Sequence, residues 1–178
     1  MTSGADLPTI REAADPHRTV RLGPGVHGGE GERLGRYVGP TVIGRGGMGV
    51  VLQATDPDLH REVALKILQG ETQARREALR QFLIEAQLTG QLEHPNIVPV
   101  HELGTLADGR PYFSMKLVRG RSLSEVVGAL SAGDQAIRRE FTRTRLLTDF
   151  LKICDAVAFA HDHGVVHRDL KPANVMIG

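Results

Sequence analysis

An α+β fold, a small antiparallel sheet carrying a single helix and followed by a helical segment, is what this 178-residue chain predicts. Three observations carry that reading. Five short runs rich in β-branched and aromatic residues lie between positions 37 and 117, divided by turn-forming Gly46-Gly47, Asp56-Pro57-Asp58 and Asp108-Gly109. Between the third and fourth runs, Ala78, Leu79, Phe82, Leu83 and Ala86 recur at the spacing of a helix with one apolar face. Beyond Gly120 helical spacing takes over.

Residues 1–35 hold seven glycines and three prolines with no sustained apolar period, so they cannot bury enough surface to offset ordering and are expected to form a disordered leader. The strands are expected at 37–43, 50–55, 62–68, 98–103 and 112–117, with the helix at 72–92 ended by His94-Pro95-Asn96. A short helix at 122–130 is followed by a polar connection containing Gly133, then by a longer helix at 143–163 that Gly164 stops. The stripe of that last helix is Leu147, Phe150, Leu151, Cys154, Val157, Ala158 and His161, a spacing that buries one face. The domain reading is a leader at 1–35, a sheet-based lobe with its exit strand at 36–118, and the incomplete beginning of a helical lobe at 119–178.

Composition excludes several classes. A net charge of +1 argues against a nucleic-acid binder, which needs an excess of Lys and Arg to track phosphates. The single Cys154 excludes an intramolecular disulfide, suits a reducing compartment and reads as a core residue. No run of apolar residues is long enough for a membrane span and no secretory signal opens the chain, so the expectation is a cytoplasmic protein. Membrane attachment through a segment outside these residues stays open.

The chemistry-bearing residues begin with Gly44-Arg45-Gly46-Gly47-Met48-Gly49, a GxGxxG spacing that dinucleotide-binding folds and ordinary glycine-rich turns share. Here Val50-Val51-Leu52 continues as strand rather than helix, which makes the glycines a hairpin tip able to bring backbone N–H groups close to phosphate. In Val63-Ala64-Leu65-Lys66-Ile67, alternation puts Lys66 and Ala64 on one face. Lys66 could reach phosphates from there while Ala64 leaves room for a flat base. Glu85 shares a helix face with Ala78, Phe82 and Thr89, and a partly buried carboxylate there needs a partner, for which Lys66 is the obvious candidate. Near the other end of the chain His167-Arg168-Asp169-Leu170-Lys171-Pro172-Ala173-Asn174 packs a carboxylate, an ammonium and a carboxamide into one loop, which is what moving a phosphoryl group onto a hydroxyl calls for. His161, His163 and His167 raise a rival metal-binding reading, but tetrahedral zinc needs a fourth ligand and none stands at a recognisable spacing.

With these motifs in this order, residues 36–178 resemble the N-terminal part of a eukaryotic-like protein kinase, and most closely a bacterial serine/threonine kinase. The resemblance implies a kinase-like α+β fold: a five-stranded antiparallel N-lobe sheet with one packed helix, plus the first helices and catalytic loop of a truncated helical C-lobe. It also implies roles. Gly44, Gly46, Gly47 and Gly49 would cover the phosphates of ATP, Lys66 held by Glu85 would bind them, and Val51 with Ala64 would sandwich the adenine. Met115 would stand at the back of the base pocket, and Lys116, Leu117 and Val118 would form the hinge that reads the adenine edge. Asp169 would orient or deprotonate the substrate hydroxyl, Lys171 would lie near the transferred phosphate and favour Ser/Thr acceptors, and Asn174 would hold Mg²⁺. His167 reads as a brace and Arg168 as the arginine that meets a phosphorylated activation loop. The implied partner is a protein substrate with a Ser/Thr acceptor, with dimerisation for autophosphorylation.

The family pattern continues, past the Asn of this loop, with an Asp-Phe-Gly-like metal motif, an activation loop and further helices that do not occur here. The expectation is a truncated kinase of doubtful activity by itself, with Leu147, Phe150, Leu151 and Val157 left facing water. The alternative is a catalytically incomplete nucleotide-binding or partner-binding module.

Overall fold

The computed structural model describes residues 11–12, 32–46, 49–69 and 75–177. The chain divides into two compact units, the first taking residues up to Gln87 together with Val100–Leu117, the second Leu88–Pro99 together with Val118–Gly178.

In the first unit, strands β1 (Arg11–Glu12), β2 (Arg33–Leu34), β3 (Tyr37–Gly46), β4 (Gly49–Asp56), β5 (Arg61–Leu68), β6 (Val100–Thr105) and β7 (Pro111–Lys116) form one sheet in the order β1-β6-β7-β5-β4-β3-β2. The five expected strands are β3 to β7, paired antiparallel throughout. The expected count of five is corrected to seven among the described residues. The additions are two-residue edge strands, β1 running parallel to β6 and β2 antiparallel to β3, too short to leave a period in the sequence. Leu34 on β2 is fully buried, so the ordered core starts before the expected boundary at 36. Most of the expected disordered leader lies outside the described residues.

The alternation of β5 is realised. Val63, Leu65 and Ile67 stand opposite Ala54, Leu52 and Val50 of β4, and this face joins Leu34, Tyr37, Leu106 and Tyr112 in a buried cluster. The sheet curls to close that cluster. Arg36, just before β3, reaches Glu102 of β6 at 2.7 Å although the two strands lie far apart in the sheet order, and the Tyr37 and Tyr112 rings meet edge to face at 5.9 Å.

The other face of the sheet takes α1 (Arg75–Thr89), whose Phe82 and Ala86 bury against Leu68 and Phe113 with Ala78, Leu79 and Leu83 alongside. Of the expected helix at 72–92, residues 72–74 lie outside the described residues, and the helix ends at Thr89, followed by turns closed by Gln91 N–H to Leu88 O and Leu92 N–H to Thr89 O. His94-Pro95-Asn96 is therefore a separate loop and not the helix stop.

The second unit packs α2 (Leu123–Ser131), α3 (Gln135–Glu140) and α4 (Arg143–Asp162) with a short ladder of β8 (Arg121–Ser122) and β9 (Met176–Ile177). Its core is Val126, Ile137, Phe141 and Ile177. Helix α2 starts on a capping box in which Ser122 Oγ accepts from Glu125 N–H and the Glu125 carboxylate accepts from Ser122 N–H. The expected polar connection containing Gly133 is corrected to include α3: Asp134 caps it by accepting from Ala136 and Ile137 N–H, and buried Ile137 anchors it. Six residues, two of them arginines, are too few to show a helical apolar period. Helix α4 matches its expected span and stops before Gly164, which takes φ of 73°.

Leu147, Phe150 and Leu151 are more than half exposed, as expected, whereas Val157 is half-buried; Ala158 and His161 are exposed, and Cys154 is corrected from a core residue to an exposed one. The face turned inward carries Ala156 and Ala160 with Leu146 and Ile153 half-buried. Spacing identified an apolar stripe, but only packing decides which stripe is covered. Among the described residues no helix is long and apolar enough to cross a membrane.

Candidate functional site

The β3–β4 hairpin presents its glycines toward one face. Gly44 stands opposite Val51, Val51 opposite Lys66, and Gly46 opposite Gly49, which is itself opposite Leu68. Directly paired residues share a face, so Gly44, Gly46, Gly49, Val51, Lys66 and Ala64 all lie on the side that also takes α1. The three described glycines differ in what requires them. A Cβ on Gly49 would land on the Ile67 carbonyl oxygen, a steric demand internal to the sheet. A Cβ on Gly44 would make only ordinary contact with Val51, and one on Gly46 would meet nothing within 4 Å among the described residues. Neither has a positive φ. Among the described residues nothing crowds the place a Cβ would take on Gly44 or Gly46, an opening that suits close approach of a phosphate. Gly47, assigned to the same cradle, lies outside the described residues.

On β5 the Lys66 ammonium donates to both oxygens of Glu85 on α1, at 2.6 and 2.7 Å. The side chains remain 22% and 43% exposed, so the pair is accessible to a ligand and not sealed in the core. Ala64, two residues earlier on the same face, is buried, and Val51 sits diagonally across the β4–β5 ladder. Met115 lies opposite Ala64 on β7 and packs against the cluster under α1. Lys116 ends β7, and Leu117 and Val118 follow outside regular structure, so the sheet ladder does not consume their backbone groups.

In the second unit the loop after α4 builds a compact polar arrangement. Arg168 takes a left-handed φ of 62°, which turns the chain so that Asp169 N–H bonds the His167 carbonyl at 2.8 Å and Nδ1 at 3.3 Å. The Asp169 carboxylate accepts from Lys171 Nζ at 2.8 Å to Oδ2 and 3.0 Å to Oδ1. Asn174, at the end of a 3₁₀ turn formed by Pro172–Asn174, donates through Nδ2 to the Asp169 carbonyl at 2.8 Å and to Oδ2 at 3.1 Å. Both bonds use the amide nitrogen, so the carboxamide oxygen is the atom of Asn174 that could serve a hard cation. The bonds from Lys171 first, and then from Asn174, hold the Asp169 carboxyl below the ordinary carboxylate range. Asp169 is therefore ionised at neutral pH and exposed.

Other groupings were not legible in the sequence. Arg36 bonds Asp56, Asp58 and Glu102, while the Tyr37 and Tyr112 hydroxyls donate to Glu102, partners up to 66 residues away. Burial raises both tyrosine hydroxyls above their usual range and keeps them donors. His94 accepts from Asn96 N–H at Nδ1, so its Nε2 proton faces Asp155 at 3.1 Å, and its ring packs on Phe159 of α4. His163 bonds the Phe159 carbonyl as part of the end of α4. Among the described residues no three His, Cys, Asp or Glu side chains gather as a metal site, His161, His163 and His167 included.

A family model described as "Protein kinase domain" matches residues 37–178. The chain is 37% identical over 140 residues to serine/threonine-protein kinase PknD of Protochlamydia amoebophila, covering 76% of this chain and 14% of that protein. It is 39% identical over 148 residues to serine/threonine-protein kinase PrkC of Bacillus subtilis, covering 83% of this chain and 22% of that protein. Among solved structures it is similar to the kinase domain of M. tuberculosis PknI, with a TM-score of 0.64 at 28% identity, covering 83% of this chain and 56% of that one. The chain thus spans about a fifth or less of these curated relatives and just over half of the solved domain.

Proposed function

This chain belongs to the protein kinase domain family, and from that premise we propose that it contributes the nucleotide-binding and catalytic-loop parts of a serine/threonine protein kinase. The observation that carries the reading is the Asp169–Lys171–Asn174 arrangement, an ionised carboxylate held within one loop by an ammonium and a carboxamide. Residues 36–118 are the nucleotide-binding lobe with its hinge at Lys116, Leu117 and Val118, and 119–178 begin the lobe that receives the acceptor.

Each role follows from the chemistry of the side chain. Lys66, directed by Glu85, binds the phosphates of ATP, with the open side of Gly44 and Gly46 taking their oxygens and Gly47 and Gly49 completing the loop. Val51 and Ala64 hold the base between apolar surfaces, with Met115 at its back. A magnesium ion, when bound, neutralises developing phosphate charge. Asn174 would hold it through its amide oxygen, the amide nitrogen being committed to Asp169. Asp169 orients the acceptor hydroxyl of a Ser or Thr side chain and takes its proton as bonding to phosphorus advances. A carboxylate held this acidic is a weak base, so orientation is its larger contribution. Lys171, beside Asp169, supplies positive charge that offsets the negative charge of the transferred phosphoryl group.

The test is Asp169→Asn in the full-length protein, with phosphorylation of a generic Ser/Thr substrate as readout. The expected outcome is a fall in kcat of about 10²- to 10⁴-fold with nucleotide affinity retained. Unchanged phosphorylation removes the catalytic assignment and leaves a nucleotide-binding or partner-binding module.

A further inference from the structure

The Lys66 ammonium lies 5.7 Å above the centroid of the Phe113 ring, within the roughly 6 Å reach of a cation–π contact. Phe113 stands directly across from Lys66 in the β5–β7 ladder and is 2% exposed. Its ring packs on Phe82 of α1 with centroids 5.0 Å apart at 47°, and Phe82 is fully buried three residues before Glu85. One pair of rings therefore touches the cation and also backs the helix that supplies its carboxylate.

Charge pairing alone does not fix this ammonium. An ion pair exposed at 22% and 43% is screened by water, and a lysine stem has many rotamers to lose. A second carboxylate would fix it but would also repel phosphate. The face of a buried ring attracts the cation, removes water from one side and adds no net negative charge. An aliphatic side chain at position 113 would fill the same core space without that attraction.

We propose that Phe113, locked by Phe82, is a positioning residue for Lys66, holding its ammonium between Glu85 and the nucleotide phosphates; this rests on the nucleotide-binding reading of the site. The test replaces Phe113 in the full-length protein with mono-, di- and trifluorinated phenylalanine, which keep the ring's shape while withdrawing its π density. The Kd for ATP is expected to rise stepwise, to about 3- to 10-fold for the trifluoro ring, with kcat at saturating ATP within about 2-fold of the parent. In the nucleotide-free protein, Phe113→Leu should remove the ring-current shift of the Lys66 Hε signals. A Kd that stays flat across the series, or Lys66 signals that do not move, overturns the proposal. Lys66→Ala separates the two levels. If it leaves ATP affinity unchanged, the nucleotide reading itself falls; if it weakens affinity while the fluorinated series is flat, only the role of the ring falls.

Discussion

At the scale of single residues, the glycines of the hairpin show that one motif combines two requirements. Gly49 answers to the Ile67 carbonyl, whereas Gly46 answers to nothing among the described residues. Gly49→Ala should lower the unfolding free energy by about 1–3 kcal/mol, because the obstacle is backbone and cannot rotate away. Gly46→Ala should leave stability within about 0.5 kcal/mol while weakening nucleotide binding. Urea midpoints and ATP affinity measured on both variants check the contrast; equal destabilisation would remove it. Asp169 provides a second residue-level prediction, in the pH dependence. Its carboxyl is depressed chiefly by Lys171, so it stays charged at neutral pH and gains a proton only as pH falls below the usual carboxylate range. Lys171→Met removes the main cause, and the acid limb of the kcat/KM profile should move to higher pH. A limb that stays in place would show that Lys171 does not control this proton.

At the scale of elements, the long periodic segments were legible and the short ones were not. Strands β3 to β7, α1, α2 and α4 each have an apolar period or turn chemistry that local sequence displays, and their ends fall within a few residues of expectation. Helix α3 has six residues and depends on its cap and on a single buried anchor, Ile137. Asp134→Ala should therefore cost about 1 kcal/mol, measured as a shift of the urea midpoint, with Asp134→Asn largely restoring it. An unchanged midpoint for the alanine variant would mean that Ile137 alone seats the helix. The stripe on α4 makes the complementary point. Leu147, Phe150 and Leu151 have the spacing of a packed face yet stand exposed among the described residues, since periodicity records which side of a helix is apolar and not what lies over it.

At the scale of the whole molecule, the curled sheet of the first unit is closed by a polar cluster that no local pattern announced. Glu102 accepts from Arg36, Tyr37 and Tyr112, so Glu102→Ala takes the acceptor from both hydroxyls and leaves Arg36 only Asp56 and Asp58. A loss of about 2–4 kcal/mol in unfolding free energy is expected, with a smaller loss for Glu102→Gln, whose amide oxygen still accepts. Equal midpoints for parent and alanine variant would show that the apolar cluster closes the curl unaided. The sequence by itself determined the order of the motifs, the α+β class, the face that Lys66 shares with Ala64, and the residue types around Asp169. Each of these depends on spacing within one strand, one helix or one loop. Tertiary structure alone decided that the Glu85 carboxylate reaches Lys66 with both oxygens, that Phe113 and Phe82 stand behind that pair, and that the inward face of α4 is the one lined by alanines. Those facts depend on how separate elements pack, and packing joins residues whose separation along the chain carries no periodic signal.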